Sequence, residues 1–126
     1  MSARLALVAA SMLMALAVAF GAFGAHALKA RLAPDMLAIW QTGVTYHAWH
    51  ALALLALGLL LLHAPQSGAL RIAAWLFVAG IVLFAGSLYL LALGAPRIIG
   101  AITPLGGVAF IVGWIVVAAG VWRMRA

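Results

Sequence analysis

Only one acidic side chain, Asp35, interrupts a 126-residue chain in which 70% of the residues are hydrophobic. A water-soluble domain of this size buries only about 65% of the surface that its unfolded chain exposes. It could not hide so much apolar surface from water. The sequence therefore predicts a protein whose solvent is lipid.

The apolar residues fall into four runs, each near the roughly 20 residues that a helix needs to cross a bilayer. The runs do not alternate in polarity, which β-barrel strands would do. Three short polar connections separate them, at about 26–38, 63–71 and 94–97. We predict an all-α integral membrane protein, a single four-helix up-down transmembrane bundle over residues 1–126, with spans at about 5–25, 39–62, 72–93 and 98–122.

The first run also has features of a signal peptide, because Arg4 precedes it and Ala25-His26-Ala27 ends it. The apolar core of a signal peptide is usually about 7–15 residues long. This run has about 20, which favours a retained span.

The basic residues are scattered at the edges of the apolar runs instead of forming a patch for nucleic acid. With four spans both termini share one side of the membrane. That side carries four basic residues, Arg4, Arg71, Arg123 and Arg125. The other side carries three, Lys29, Arg31 and Arg97, together with Asp35. The positive-inside rule thus favours cytoplasmic termini by one charge. Trp40 and Trp122 are predicted to lie in the two interfacial belts.

Composition also limits the chemistry. The chain has no cysteine, and its one acid excludes paired-carboxylate catalysis. His47 and His50 are spaced so that they could bind one metal ion together, but no intramembrane carboxylate or thiolate completes such a site. The sequence favours a non-enzymatic protein with no metal and no cofactor, and it leaves an enzyme open.

Small residues recur every seven positions in the two outer runs. The first run has Ala10, Ala17 and Gly24, and the fourth has Gly106, Gly113 and Gly120. Helices in lipid associate through close contact at small residues. These stripes are predicted to be packing faces.

Nearly all intramembrane polar residues lie in the half of the bundle away from the termini. Polar groups in hydrocarbon must be paired or line a wet cavity. We therefore predict one shared pocket or hydrogen-bond network in that half, with candidate residues His26, Gln41, Thr45, Tyr46, His50, Ser87, Tyr89, Thr103, Gly106 and Gly107.

Thr42, Tyr46 and His50 recur at every fourth position and predict one stripe. Tyr46 and His50 are expected to face the bundle interior. His50 could carry protons, bind a ligand, or join two helices as a neutral hydrogen-bonding group. The simplest role of Ser87 is a bond to the preceding turn, and that of Thr103 is an N-cap before Pro104.

Four ordered motifs resemble one family. They are Gly21-Ala22-Phe23-Gly24-Ala25-His26, Gln41-Thr42-Gly43 with Tyr46 and His50, Leu83 to Tyr89, and Thr103 to Gly107 with Gly113-Trp114. The chain resembles small four-helix membrane proteins of the YgdD type, a domain-of-unknown-function family related to the transmembrane protein 256 group. Ala85 departs from the family pattern, which has serine there. The resemblance implies a bacterial inner-membrane location and a four-helix fold, and no established activity.

Two functional hypotheses remain. The first is a non-enzymatic accessory protein or a bundle that binds lipid or a quinone-like molecule. The alternative is a small oligomeric transporter or channel component that uses His50 and Tyr46. The expected partners are membrane lipids and either another membrane protein or further copies of the chain.

Overall fold

Four long antiparallel helices make up the computed structural model, which describes residues 1–124. The helices extend over Ala3–Leu28, Pro34–His63, Gly68–Ala92 and Arg97–Trp122, and each is long and apolar enough to cross a membrane. We call them the first to fourth spans. They confirm the all-α fold with four apolar spans. The predicted positive charge at Arg125 lies outside the described residues.

Two of the spans contain a wider π-helical turn. The first is an α-helix over Ala3–Phe23 that continues as a π-helical turn over Gly24–Leu28. The third is α-helical over Gly68–Gly80 and Gly86–Ala92, with a π-helical turn over Ile81–Ala85 between them. The second is α-helical over Pro34–His63. The fourth begins with a 3-10 turn over Arg97–Ala101 and becomes α-helical over Thr103–Trp122.

The second and third spans begin earlier than their apolar runs. Pro34 occupies the first turn of the second span, where its fixed φ suits a helix. The hydroxyl of Ser67 accepts a hydrogen bond from the backbone N–H of Leu70 and caps the third span at Gly68. Predicted starts at 39 and 72 were therefore too late. These signals, a proline and a serine, lie outside the apolar runs, so a search for apolar runs does not include them.

The buried face of the second span follows alternating steps of three and four residues, the seam of a left-handed helix pair. Its members are Trp40, Gly43, His47, His50, Leu54, Leu57 and Leu61. Residues taken four apart rotate by about 40° around the helix axis at each step, so a stripe at that spacing moves away from the buried face. Thr42 and Tyr46 consequently lie on the outside, and the prediction that Tyr46 faces the interior is wrong.

The first span packs mainly on the second, and the fourth packs mainly on the third. A Cβ at Gly24 would meet the indole of Trp40 at 2.7 Å, and one at Gly113 would meet the ring of Phe77 at 2.7 Å. A Cβ at Gly106 would fall on the backbone of Phe84. These close approaches confirm that the small-residue stripes are packing faces.

Trp40 is not an interfacial residue, since only 3% of it is exposed. Its indole N–H donates to the carbonyl of Phe20 at 2.9 Å and so ties the second span to the first. Because the second span begins at Pro34, Trp40 lies nearly two turns inside it. Trp122 is 91% exposed at the end of the fourth span, as a belt residue should be.

Candidate functional site

His50 joins the second and fourth spans and has both ring nitrogens bonded. Its Nδ1 lies 2.8 Å from the carbonyl of Tyr46, and its Nε2 lies 3.1 Å from the indole N–H of Trp114. A carbonyl only accepts and an indole only donates. Nδ1 must therefore carry the proton, and Nε2 must accept. The imidazole is neutral and has no nitrogen left for a metal or a ligand.

His47 lies on the other side of the same seam, towards the first and third spans. Its Nδ1 is 2.9 Å from the hydroxyl of Tyr89. The ring of Phe20 stands edge-on to Tyr89, with centroids 5.0 Å apart. Within residues 1–124, Nε2 of His47 is the one buried side-chain nitrogen or oxygen without a hydrogen-bond partner of good geometry. The backbone of Leu13 in the first span lies close to the imidazole of His47.

A third polar contact joins the third and fourth spans. The hydroxyl of Ser87 donates to the carbonyl of Phe84 at 2.9 Å, which confirms the predicted bond to the preceding turn. Its oxygen lies 2.6 Å from the hydroxyl of Thr103, so Thr103 must be the donor there. The predicted N-cap role of Thr103 is wrong. Its side chain binds across to Ser87 because the two spans are close at Gly106.

The ten candidate residues do not converge on one cavity. His50, Ser87 and Gly106 are buried, and Tyr89, Thr103 and Gly107 are partly buried. The remaining four are exposed: His26, Gln41, Thr45 and Tyr46. The hydroxyl of Thr45 bonds back to the carbonyl of Gln41 within the helix. The polar half therefore contains separate helix-to-helix bonds. Two grooves on the outside of the bundle are lined in part by the candidate residues. A third groove, of about 500 Å³, lies at the membrane-surface end of that half and is lined by Met36, Ile39, Leu91, Gly94, Ala95 and Arg97.

The first groove lies between the second and fourth spans, and we call it the aromatic groove. Its volume is about 420 Å³, and it is lined by Tyr46, Trp49, His50, Phe84, Gly107, Phe110, Ile111 and Trp114. The ring of Phe84 lies 4.7 Å from that of Tyr46, centroid to centroid. The imidazole of His50 is stacked on Phe110 at 3.5 Å and forms part of the wall.

The second groove lies between the first and third spans, and we call it the apolar groove. Its volume is about 630 Å³. The start of the fourth span closes one end of it. It is lined by Phe20, Phe23, Trp40, Val82, Leu83, Gly86, Ser87, Tyr89, Leu90, Leu93, Ile99 and Ile102.

Sequence reasoning missed Trp49, Phe84, Phe110 and Trp114 as parts of a site. One signal could have indicated Trp114, because an indole N–H inside an apolar span needs an acceptor. His50 is 16 residues after Pro34, and Trp114 is 17 after Arg97, so the two have the same depth. With the predicted span starts at residues 39 and 98, the depths of His50 and Trp114 would differ by about 7 Å, at a rise of 1.5 Å per residue.

The comparisons with known proteins agree on one family. A family model described as "Protein of unknown function (DUF423)" matches residues 20–107. The chain belongs to the DUF423 family. It is 51% identical over 102 residues to the UPF0382 membrane protein YwdK of Bacillus subtilis, an alignment that covers 81% of this chain and 83% of that protein. It is 47% identical over 109 residues to a UPF0382 membrane protein of Staphylococcus saprophyticus, with coverage of 86% and 89%.

These results confirm the resemblance that the four motifs carry, together with a membrane location. No solved structure matches the chain. Every residue that lines the apolar groove falls within the part that the DUF423 model matches. The aromatic groove extends beyond that part, to Phe110, Ile111 and Trp114.

Proposed function

We propose that this protein is a non-enzymatic membrane bundle that binds a flat, lipid-soluble ring compound of the quinone class in the aromatic groove. The observation that carries the proposal is the lining of that groove. Five aromatic rings and one imidazole surround a space of about 420 Å³ on the outside of the bundle. Aromatic faces and edges attract another ring in stacked or edge-on geometry.

The position of the groove fits a ligand that arrives through the bilayer. His50, in its wall, lies near the middle of the second span. Trp49 and Tyr46 stand at the rim, with 58% and 36% of their surface exposed. The hydroxyl of Tyr46 has no hydrogen-bond partner among residues 1–124 and can bind one polar group of the ligand.

Binding without catalysis follows from the state of the polar residues. His50 is neutral with both nitrogens engaged, so it has no lone pair with which to accept a proton. The only acid of the chain, Asp35, lies in the first turn of the second span, far from the groove along the helix axis. General acid-base chemistry needs such groups next to the ligand.

The transporter alternative has less support. The half of the core nearer the termini is packed with fully buried side chains such as Leu54, Leu57, Leu61 and Leu70. They leave no polar route from Tyr46 and His50 to that surface. A path would have to form between several copies of the chain.

We also propose a bacterial inner-membrane location with cytoplasmic termini. In the sequence, the termini side carries one basic residue more than the other side, which supports this orientation, and the relatives come from bacteria. The first and fourth spans bury only a small share of their surface within the chain. Those outer faces would contact lipid, another membrane protein or a second copy.

Tryptophan fluorescence can test ring binding, because a quinone quenches an indole that it contacts. In lipid nanodiscs, a short-chain benzoquinone should quench the protein with a saturating component. Trp49→Phe should remove a large part of that component, since Trp49 and Trp114 are the two indoles that line the groove. Trp75→Phe is the matched control, because Trp75 is 53% exposed but lies outside both grooves. Linear, non-saturating quenching in all three proteins would refute the proposal.

A further inference from the structure

A further groove lies at the opposite end of the bundle, at the membrane surface near the termini, and we call it the surface groove. Its volume is about 540 Å³. The connection between the second and third spans lines one side of it, and the end of the fourth span lines the other. The polar side chains of Gln66, Ser67 and Arg123 line it together. His63 lines it as well, with its Nδ1 bonded to the carbonyl of Leu59 in its own helix.

The space in the surface groove follows from the glycines around it. A Cβ at Gly120 would meet the Cβ of Ala69 at 3.1 Å, so the third and fourth spans are in close contact there. A Cβ at Gly68 would meet nothing within 4 Å, although Gly68 lines the groove. The missing side chain at Gly68 therefore leaves room for a ligand and is not required by a neighbouring helix.

The polar groups of the surface groove are mainly hydrogen-bond donors around one positive charge. The guanidinium of Arg123 is permanently charged and has several N–H donors. The hydroxyl of Ser67 accepts from the backbone N–H of Leu70, so its own proton remains to be donated. The side-chain amide of Gln66 adds further N–H donors. Among residues 1–124 no acidic side chain lines the groove, since Asp35 lies at the opposite membrane surface. Such a set of groups suits a phosphate.

We infer that the surface groove binds the phosphate of an anionic phospholipid, with Arg123 as its charged partner. Arginine binds phosphate through paired, charge-assisted hydrogen bonds. Met124 lines the groove beside Arg123 and offers apolar surface that a lipid covers and a free phosphate does not. Arg97 lines the third groove, at the other membrane surface, but no other polar side chain lines that groove. The inference stands whether or not the aromatic groove binds a ring.

Native mass spectrometry of the delipidated protein in detergent tests this inference. The probes are dioleoyl phosphatidylglycerol and dioleoyl phosphatidylcholine, added in equal amounts. We expect phosphatidylglycerol to be retained about fivefold more than phosphatidylcholine, the effect of one basic residue near a phosphate. Arg123→Gln should remove the preference. Arg71→Gln should keep it and is the matched control, because Arg71 is an exposed base at the same surface that does not line the groove. Equal retention by the wild type would overturn the inference, and so would an unchanged preference in Arg123→Gln.

Filling the groove tests its location. Gly68→Leu should abolish the preference for phosphatidylglycerol. Gly86→Leu is the control, since a Cβ at Gly86 also meets nothing within 4 Å but Gly86 lines the apolar groove. An unchanged preference in a folded Gly68→Leu would place the lipid elsewhere and overturn the inference. Arg123 is exposed at a helix end, so its variant tests the inference even if Gly68→Leu fails to fold.

Inorganic phosphate distinguishes a lipid headgroup from a soluble anion. A ligand that binds only the folded protein raises its midpoint of thermal unfolding. Phosphatidylglycerol should raise the midpoint of the delipidated protein, and inorganic phosphate alone should leave it unchanged. An equal rise with inorganic phosphate would show a site for a soluble anion and overturn the assignment to a lipid.

Discussion

Replacing His50 with leucine should lower the stability of the bundle by about 2 kcal/mol, because a buried hydrogen-bonding group loses its partner. Leucine cannot accept from the indole N–H of Trp114, which then has no acceptor in hydrocarbon. The stack of the imidazole on Phe110 is lost as well. The midpoint of thermal unfolding, followed by helical circular dichroism in detergent, measures the effect.

His63→Leu is the control for this prediction. His63 is exposed and bonds only to the carbonyl of Leu59 in its own helix, so its loss should leave the midpoint nearly unchanged. His50→Gln should recover part of the stability, because its amide oxygen can accept from Trp114. If His50→Leu unfolds at the wild-type midpoint, His50 does not join the two helices.

Gly106→Ala should also destabilise the bundle strongly, by about 3 kcal/mol, the upper end of the effect of overpacking. The added methyl group would fall on the backbone nitrogen and Cα of Phe84, and a backbone cannot rotate away as a side chain can. Moving the third and fourth spans apart would also stretch the bond between Ser87 and Thr103. Thermal unfolding in detergent is again the measurement.

The neighbouring glycine provides the control. A Cβ at Gly107 would lie 3.8 Å from the ring of Phe84, an ordinary contact. Gly107→Ala should therefore be neutral or slightly stabilising, because alanine favours a helix by about 1 kcal/mol over glycine. Equal unfolding midpoints for the two alanine variants would contradict the close approach at Gly106.

The fold could be predicted from the sequence because lipid imposes simple rules. Length and apolarity alone locate four spans. Spacing by sevens locates the faces at Gly24, Gly106 and Gly113 that pack on other helices. The position of a span depends on one helix alone, and a small residue permits close packing whichever helix lies against it. Both can therefore be predicted without knowing which helices are neighbours.

The site could be predicted only in part, because it depends on how two helices align. A period of four placed Tyr46 inside, whereas packing follows a period near 3.5. A late start for the second span concealed that His50 and Trp114 have the same depth. The aromatic groove exists only because the second and fourth spans leave a space between them at Phe84 and Phe110. No pattern within a single span indicates that space.

If the aromatic groove binds a ring, a side chain that fills the groove should prevent the binding. Gly107 lines the aromatic groove, and Gly86 lines the apolar groove. The measurement is the benzoquinone titration of tryptophan fluorescence in Gly107→Leu and Gly86→Leu, each shown to be folded by circular dichroism. We expect Gly107→Leu to lose the saturating component and Gly86→Leu to keep it. Saturating quenching that persists in Gly107→Leu with the wild-type midpoint would show that no ring binds in the aromatic groove.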